Sequence, residues 1–280
     1  MLLIGFLISL YIAYGAHRRG ALTETGALWA VVVGTLVFGF GDGIAGVALV
    51  AFFLSSTLLH KLRRGERAES AEPSASAEPS ASAEPSASII EKGDTRDGLQ
   101  VLANGGPAAL FCCLYALTGR SMYLVGGLAS LAAANADTWA TELGLLSKSS
   151  PRHILTLQEV PAGTSGAISA IGTLGMVAGA LFIALLTWLQ PGQGSLLRTL
   201  LVLLGGIFGG WMDSVLGATL QEKRQCVRCG EATEQSRHVC GGATLVTEGI
   251  AGIDNDTVNA LATMLGGTAA TVAWYFLVGR

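Results

Sequence analysis

Residues 122–146 read MYLVGGLASLAAANADTWATELGLL, and this stretch decides the class of fold. Its first half carries no charge, whereas its second half contains Asn135, Asp137 and Glu142. The stretch is long enough for a membrane span, because a transmembrane helix needs about 20 largely apolar residues. Polar groups at membrane depth are costly and usually face a bundle interior or a wet cavity. The stretch therefore predicts a membrane helix whose polar end faces other helices.

The composition of the whole chain supports the same class. Of its 280 residues, 51% are hydrophobic and only 13% are charged, against roughly 25% charged in a soluble domain. The 38 glycines favour close helix packing, and a net charge of −3 gives no indication of nucleic-acid binding. We expect an all-α, polytopic integral membrane protein that forms a single membrane domain over residues 1–280.

Apolar runs predict about eight membrane helices, near 1–16, 26–40, 44–60, 99–118, 122–146, 163–189, 199–220 and 257–278. Gly41-Asp42-Gly43 separates the second run from the third, and a count of seven would merge these two. The merged helix would be roughly 50 Å long, well beyond the hydrocarbon core. A helical hairpin is therefore the preferred interpretation.

The basic residues predict the orientation, because Lys and Arg accumulate in cytoplasmic loops. With eight spans and the N-terminus outside, 14 of the 17 basic residues fall on the cytoplasmic side, leaving Arg120, Arg198 and Arg280 outside. Merging the second and third spans would spoil this bias. We expect a multi-pass protein of the plasma membrane.

Two loops stand apart from the apolar runs. Residues 65–90 contain Ala-Glu-Pro-Ser-Ala-Ser three times between Ala71 and Ser88, and this composition predicts a disordered linker. Residues 221–252 form a cytoplasmic loop with Cys226, Cys229, His238 and Cys240. This set is compatible with tetrahedral structural zinc, although a redox pair or incidental thiols would give the same residues.

Carboxylates mark the cytoplasmic ends of three predicted spans. The candidate catalytic residues are Asp137, Glu142, Asp213 and Asp256. Carboxylate and amide oxygens are ligands that Mg²⁺ prefers, and we expect the three aspartates to hold it. Hydrogen bonding between helices is the structural alternative.

Polar and glycine residues at the same ends suit a phosphorylated ligand. Arg96 precedes the fourth span, and Gly163-Thr164-Ser165-Gly166 opens the sixth, where a helix N-terminus attracts anions. A solvated cap is the alternative at each position, and Asp254 or Asn255 could simply cap the eighth helix. The candidate substrate- or phosphate-binding residues are Arg96, Gln100, Asn104, Asn135, Thr138, Gly163, Thr164, Ser165, Gly166, Ser214, Gln221, Asn255 and Asn259.

Five sequence blocks resemble a known membrane family. GDTRDGLQVLANGG (93–106), NADTWATELG (135–144), VPAGTSG (160–166), MDSVLGATLQ (212–221) and IDNDTVN (253–259) are similar to the family numbered ninety-two among the domains of unknown function. That family includes plant phytyl-phosphate kinase and the animal transmembrane protein nineteen. The resemblance implies a kinase that converts an isoprenoid lipid monophosphate to the diphosphate with a nucleoside triphosphate, CTP being favoured.

Two other functions fit the same residues. A secondary transporter also uses intramembrane carboxylates, but it commonly carries internal repeats and binds near the midplane. Here the motifs sit toward one face, and the flanks of Asp137, Asp213 and Asp256 do not align as repeats. A non-enzymatic membrane protein would not need so many polar groups at membrane depth.

Overall fold

The computed structural model describes residues 1–70, 95–190, 196–233 and 235–279. Within these residues the chain forms eight helices: α1 (Leu2–Arg18), α2 (Glu24–Phe40), α3 (Ile44–Ser70), α4 (Gly98–Thr118), α5 (Ser121–Gly144), α6 (Ala170–Leu185), α7 (Leu196–Thr219) and α8 (Asn255–Val278). The predicted all-α membrane bundle is confirmed. Five helices (α3, α4, α6 with its 3-10 extension to Leu189, α7 and α8) are long and apolar enough to cross a membrane.

Helix α5 lies at the centre of the bundle. It packs against α3, α4, α6, α7 and α8, and its side chains from Leu124 to Ala136 are buried. Small residues dominate this segment, so neighbouring backbones approach closely where lipid offers no hydrophobic drive for association. The polar half of α5 is thereby held between other helices, as its sequence predicts.

A tight turn separates α2 from α3, as the sequence predicts. Asp42 has a φ of 56° and Gly43 a φ of 68°, and two successive left-handed residues reverse the chain. Gly41 leaves no room for a side chain, because a Cβ there would lie 2.8 Å from the Cys112 sulfur. The helical hairpin is therefore present, and the single long helix is excluded.

Successive helices run antiparallel, which gives the bundle two distinct ends. We call the end where α1, α3, α5 and α7 finish and α2, α4, α6 and α8 begin the motif end. There the Thr23 amide donates to the Arg96 carbonyl at 3.0 Å. At the far end the Gln190 amide donates to Asp42 at 2.6 Å and accepts from Arg198 at 2.6 Å. Arg120 also lies at the far end, so the two ends differ in basic residues as predicted, whereas the compartment that each end faces stays a prediction.

Helices α7 and α8 are in backbone contact. A Cβ on Gly205 would lie 2.8 Å from the Gly266 carbonyl oxygen, and one on Gly266 would lie 2.7 Å from the Gly205 carbonyl oxygen. Only glycine at both positions permits this approach. It brings the carboxylate-bearing end of α7 beside the start of α8.

Two helix boundaries and one loop differ from the sequence-based expectation. Helix α6 begins at Ala170, so residues 163–166 precede it in a loop that includes β1 (Arg152–His153) paired with β2 (Ala167–Ile168). Helix α3 continues to Ser70, which places residues 65–70 of the expected linker in a helix, and residues 71–90 lie outside the described part of the chain. Residues 221–252 contain a three-stranded sheet of order β4-β3-β5, built from β3 (Lys223–Cys226), β4 (Ala232–Thr233) and β5 (Thr244–Glu248).

Candidate functional site

A cavity of about 470 Å³ opens at the motif end of the bundle. Residues from all eight helices and from the loop before α6 line it. Most of the predicted site residues meet there, namely Arg96, Gln100, Asn104, Asp137, Thr138, Glu142, Gly163, Thr164, Ser165, Gly166, Asp213, Ser214, Gln221, Asn255 and Asn259. Motifs that are far apart in the sequence therefore share one space.

Two carboxyl groups face each other in this cavity. Asp137 on α5 and Asp213 on α7 lie within hydrogen-bonding range of each other, and both are half-buried. Two carboxylates this close repel each other unless they share a proton or a cation lies with them. The pair is thus suited chemically to a hard divalent cation, which takes oxygen ligands.

Glu142 has basic partners that were not predicted as site residues. Its Oε2 accepts from Arg63 Nε at 2.5 Å, and its Oε1 lies 3.0 Å from His60 Nδ1. Both partners are on α3 and both line the cavity. The Glu142 carboxylate thus lies in an ion pair with Arg63, and the catalytic role that the sequence suggests for it stays a prediction. A usable signal was present, because His60 and Arg63 are three residues apart and share a helix face.

Arg96 projects into the cavity from the segment before α4. Its Nη2 donates to the Ser56 hydroxyl at 2.8 Å, and its guanidinium lies 5.6 Å from the Phe52 ring centre and 5.7 Å from that of Phe53. Its backbone pairs with Ala21 and Thr23 at 3.1 and 3.0 Å. The cation is therefore held on a fixed support, as a phosphate-binding arginine requires.

The glycine-rich loop 163–166 lines the cavity without being the start of a helix. Gly163 and Gly166 adopt positive φ values of 87° and 76°, and the Gly166 carbonyl accepts from the Ile154 amide at 3.0 Å. A Cβ on Gly166 would lie 2.5 Å from that of Ala218, so the loop is pressed against α7. The true N-cap of α6 is Ser169, which also lines the cavity. The loop thus lies beside a helix N-terminus.

Two predicted site residues do not line this cavity. Asn135 is fully buried, donating to the Gly179 carbonyl at 2.8 Å and accepting from the Ser55 hydroxyl at 3.0 Å, so it joins helices as the structural alternative proposed. Asp256 is 6% exposed and is absent from the described residues of the cavity wall. Its neighbour Asp254 is the N-cap of α8, accepting from the Thr257 amide at 2.9 Å.

Other site residues carry hydrogen bonds of their own. The Gln100 side chain accepts from the Asp97 amide at 3.1 Å and completes a capping box at the start of α4. Asn104 donates to the Gln100 carbonyl at 3.0 Å, and the Thr138 hydroxyl donates to the Ala134 carbonyl at 2.9 Å. These side chains line the cavity in fixed orientations.

Part of the cavity wall is apolar, and we call this part the apolar branch. Side chains of α1, α2 and α3 line it, including Ile12, Ala13, Ala30, Val33, Phe38, Leu49 and Val50. Ala30 and Phe38 are eight residues apart on α2, so the branch follows that helix for roughly 12 Å. The same cavity thus has a polar part, lined by the motif residues, and an apolar part, lined by α1, α2 and α3.

The four residues of the Cys/His loop also converge. Cys226, Cys229, His238 and Cys240 place one sulfur or nitrogen each within 4.8 Å of one another. Backbone N–H groups of Cys229 and Arg228 donate to the Cys226 sulfur and lower the pKa of that thiol to about 7, which favours the thiolate that binds metals. We call the segment 221–253 that carries these ligands the cap.

A family model, described as that of the integral membrane protein DUF92, matches residues 7–267. The chain belongs to the DUF92 family. Membership confirms a multi-pass integral membrane protein, in agreement with the apolar helices. It also confirms the family resemblance that the five sequence blocks indicate.

Among similar proteins, Protein PGR of Arabidopsis thaliana is 28% identical over 99% of this chain and 97% of its own length. An uncharacterized membrane protein of Methanocaldococcus jannaschii is 43% identical over 44% of this chain and 50% of its own length. A further uncharacterized membrane protein, from Synechocystis, is 32% identical over 48% of this chain and 54% of its own length. No solved structure matches this DUF92 member.

Proposed function

We propose that this protein is a membrane-embedded lipid-phosphate kinase of the plasma membrane, which phosphorylates an isoprenoid monophosphate to the diphosphate at its motif end. The observation that carries the proposal is the facing pair of Asp137 and Asp213 in a cavity whose wall includes the apolar branch. The sequence resemblance to the phytyl-phosphate kinase family supports the choice of reaction and favours CTP as the donor.

The charges that line the cavity support a divalent cation as a cofactor. The three carboxyl groups of Asp137, Glu142 and Asp213 outnumber the two guanidinium groups of Arg63 and Arg96 in the cavity wall. A cavity of net negative charge repels phosphates, whereas one Mg²⁺ at the aspartate pair would make it net positive. Asp137 and Asp213 would hold the ion, which would neutralise charge on the transferred phosphoryl group.

The remaining polar groups have roles that follow from their positions. Arg96, on its fixed support, binds phosphate oxygens of the donor or of the lipid. The loop 163–166 and the N-terminus of α6 provide backbone N–H groups at the same wall. Arg63 and His60 hold Glu142, which keeps this third carboxylate from repelling the substrate.

The transfer step needs no strong base. An oxygen of the lipid phosphate forms a bond to the γ-phosphorus while the bond to the β–γ bridging oxygen breaks, giving the lipid diphosphate and the nucleoside diphosphate. A phosphate monoester has a second pKa of about 6, so the attacking oxygen is largely deprotonated at neutral pH. Positioning and charge neutralisation are then the main demands on the protein.

The apolar branch supports a lipid substrate. It lies between α1, α2 and α3, where an isoprenoid chain would bury its hydrocarbon while its phosphate faces Arg96. Filling the branch with Ala30→Phe should therefore shift the preference toward shorter chains. Leu28→Phe is the matched control, because Leu28 is 64% exposed on the outside of the same helix.

The testing experiment uses purified protein in detergent with CTP, ATP or GTP, Mg²⁺, and phytyl, geranylgeranyl or farnesyl monophosphate. Chromatography of radiolabelled lipid should detect the diphosphate with at least one lipid, and omission of Mg²⁺ should abolish it. If no lipid gains a phosphate while reconstituted vesicles accumulate a solute, the protein is a transporter and the kinase proposal is wrong.

A further inference from the structure

We infer that Cys226, Cys229, His238 and Cys240 bind one zinc ion, and that this ion holds the cap in the conformation that joins α7 to α8. Glu231 does not bind the ion itself but contacts the second ring nitrogen of His238. The inference does not depend on the proposed kinase activity. It rests on four ligand atoms from two loops of a small sheet, with distances that can be compared with known zinc chemistry.

Four of the six distances between the ligand atoms are close to, or slightly shorter than, those of a tetrahedral site, and all six are within 4.8 Å. The Cys226 and Cys240 sulfurs are 3.5 Å apart, those of Cys229 and Cys240 are 3.7 Å apart, and His238 Nδ1 lies 3.3 Å from Cys229 Sγ and 3.2 Å from Cys240 Sγ. Bonds of about 2.3 Å to sulfur and 2.0 Å to nitrogen place tetrahedral ligands roughly 3.5–3.8 Å apart. None of the cysteines in the described residues forms a disulfide, so all three thiols are free to bind.

The histidine is oriented as in zinc sites. Its Nδ1 faces the sulfurs, while its Nε2 lies 3.3 Å from the Glu231 carboxylate, and the ring is almost fully buried at 4% exposure. A carboxylate on the second nitrogen of a metal-bound imidazole sets its tautomer and raises its basicity. Among the described residues His238 Nε2 makes no hydrogen bond, so the positioning role that we infer for Glu231 rests on this 3.3 Å contact.

The backbone around Cys226 is shaped for a metal. The Arg228 amide donates to the Cys226 sulfur, with nitrogen and sulfur 3.4 Å apart, and the Gly230 amide closes the turn onto the Cys226 carbonyl at 2.9 Å. Gly242 packs against the same sulfur, since a Cβ there would lie 2.7 Å from it. Both loops therefore press close to the ligand atoms, which suits a small ion bound without water.

The cap connects this centre to the candidate site. Strand β3 follows Gln221, which lines the cavity, and β5 leads back toward Asn255 at the start of α8. At its base the Glu222 carboxylate accepts from the Gly252 amide at 2.9 Å and from Arg224 Nε at 2.9 Å. A metal that fixes the distal loops of this sheet therefore stabilises the link between α7 and α8.

The test measures metal in the full chain. Protein should be purified anaerobically in detergent, without added metal or chelator. Elemental mass spectrometry of the acid-digested protein should then find one zinc per chain. Cobalt substitution should give the strong visible absorption of a tetrahedral thiolate site. Folded, monodisperse protein without zinc, or with a Cys226–Cys229 disulfide in non-reducing peptide maps, would overturn the inference.

Variants separate ligands from ordinary thiols. His238→Ala should lose the zinc, and Glu231→Gln should keep one zinc but bind it about 10- to 100-fold more weakly in competition with a chelator. Cys113→Ser, a change of a half-buried thiol in α4, should leave zinc content unchanged. Equal affinity in Glu231→Gln and wild type would refute the role of Glu231, and retention of zinc by His238→Ala would refute the ligand set.

Discussion

Glu142 shows how a membrane bundle accommodates a largely buried carboxylate. The Glu142 side chain is 13% exposed and that of Arg63 is 12% exposed, so removing one partner leaves a largely desolvated charge. A buried ion pair adds little net stability, but breaking it on one side is costly. The main contribution of Arg63 to stability is therefore to neutralise the Glu142 carboxylate.

A double-mutant cycle tests this coupling. Arg63→Gln alone should lower the free energy of unfolding in detergent by about 3 kcal/mol, because Glu142 loses its counter-charge. Adding Glu142→Gln should restore much of that loss, since two neutral amides can hydrogen bond. Purely additive losses in thermal unfolding would contradict the pairing.

The individual residues also show what sequence reasoning can and cannot predict. Asp137 and Asp213, which the sequence marks as catalytic and metal-binding because a carboxylate at membrane depth has few other roles, both line the cavity, and their catalytic role stays a prediction. Asn135 was assigned to substrate because its spacing with Thr138 fits one helix face, but an amide can equally bond a neighbouring backbone. The sequence cannot distinguish a substrate contact from a hydrogen bond between helices, because the choice depends on where α6 places the Gly179 carbonyl.

At the scale of helices, the direct contact of α7 with α8 sets the geometry of the site. Gly266→Ala should destabilise the protein by about 1–3 kcal/mol, because the new methyl group meets the backbone oxygen of Gly205. Gly106→Ala is the control, since a Cβ on this α4 residue meets nothing within 4 Å. In thermal unfolding experiments in the same detergent, the midpoint temperature should be lower than that of the wild type for Gly266→Ala only. An equal effect of both would show that helix packing does not require glycine here.

Helix boundaries were predictable where capping and charge mark them and not where only hydropathy does. The hairpin turn at Asp42 follows from turn chemistry, and the start of α8 follows from the N-cap residue Asp254. The start of α6 was placed too early, because Gly163, Thr164 and Gly166 are small enough to pass for helix residues in a membrane. The sheet of the cap escaped prediction because its strands are short and lie between metal-ligand candidates.

For the whole molecule, the unequal division of basic residues between the two ends predicts the topology. A cysteine introduced at exposed Arg120 should react with a membrane-impermeant reagent in intact cells, whereas one at exposed Arg152 should react only after lysis. Peptide mass spectrometry identifies the labelled site. The opposite pattern would put the cavity on the outside, away from cytosolic nucleotide.

If the protein is the lipid-phosphate kinase proposed above, Asp137 and Asp213 form its reactive centre. The most direct measurement is lipid-diphosphate formation by purified wild type, Asp137→Asn, Asp213→Asn and Glu159→Gln, at matched folding and lipid content. Glu159 is the control carboxylate, because its side chain is 64% exposed outside the cavity wall. Loss of the metal-holding charge should reduce turnover by a factor on the order of 100 or more in each aspartate variant, while Glu159→Gln keeps wild-type turnover. Near-normal diphosphate formation by both aspartate variants would contradict the account.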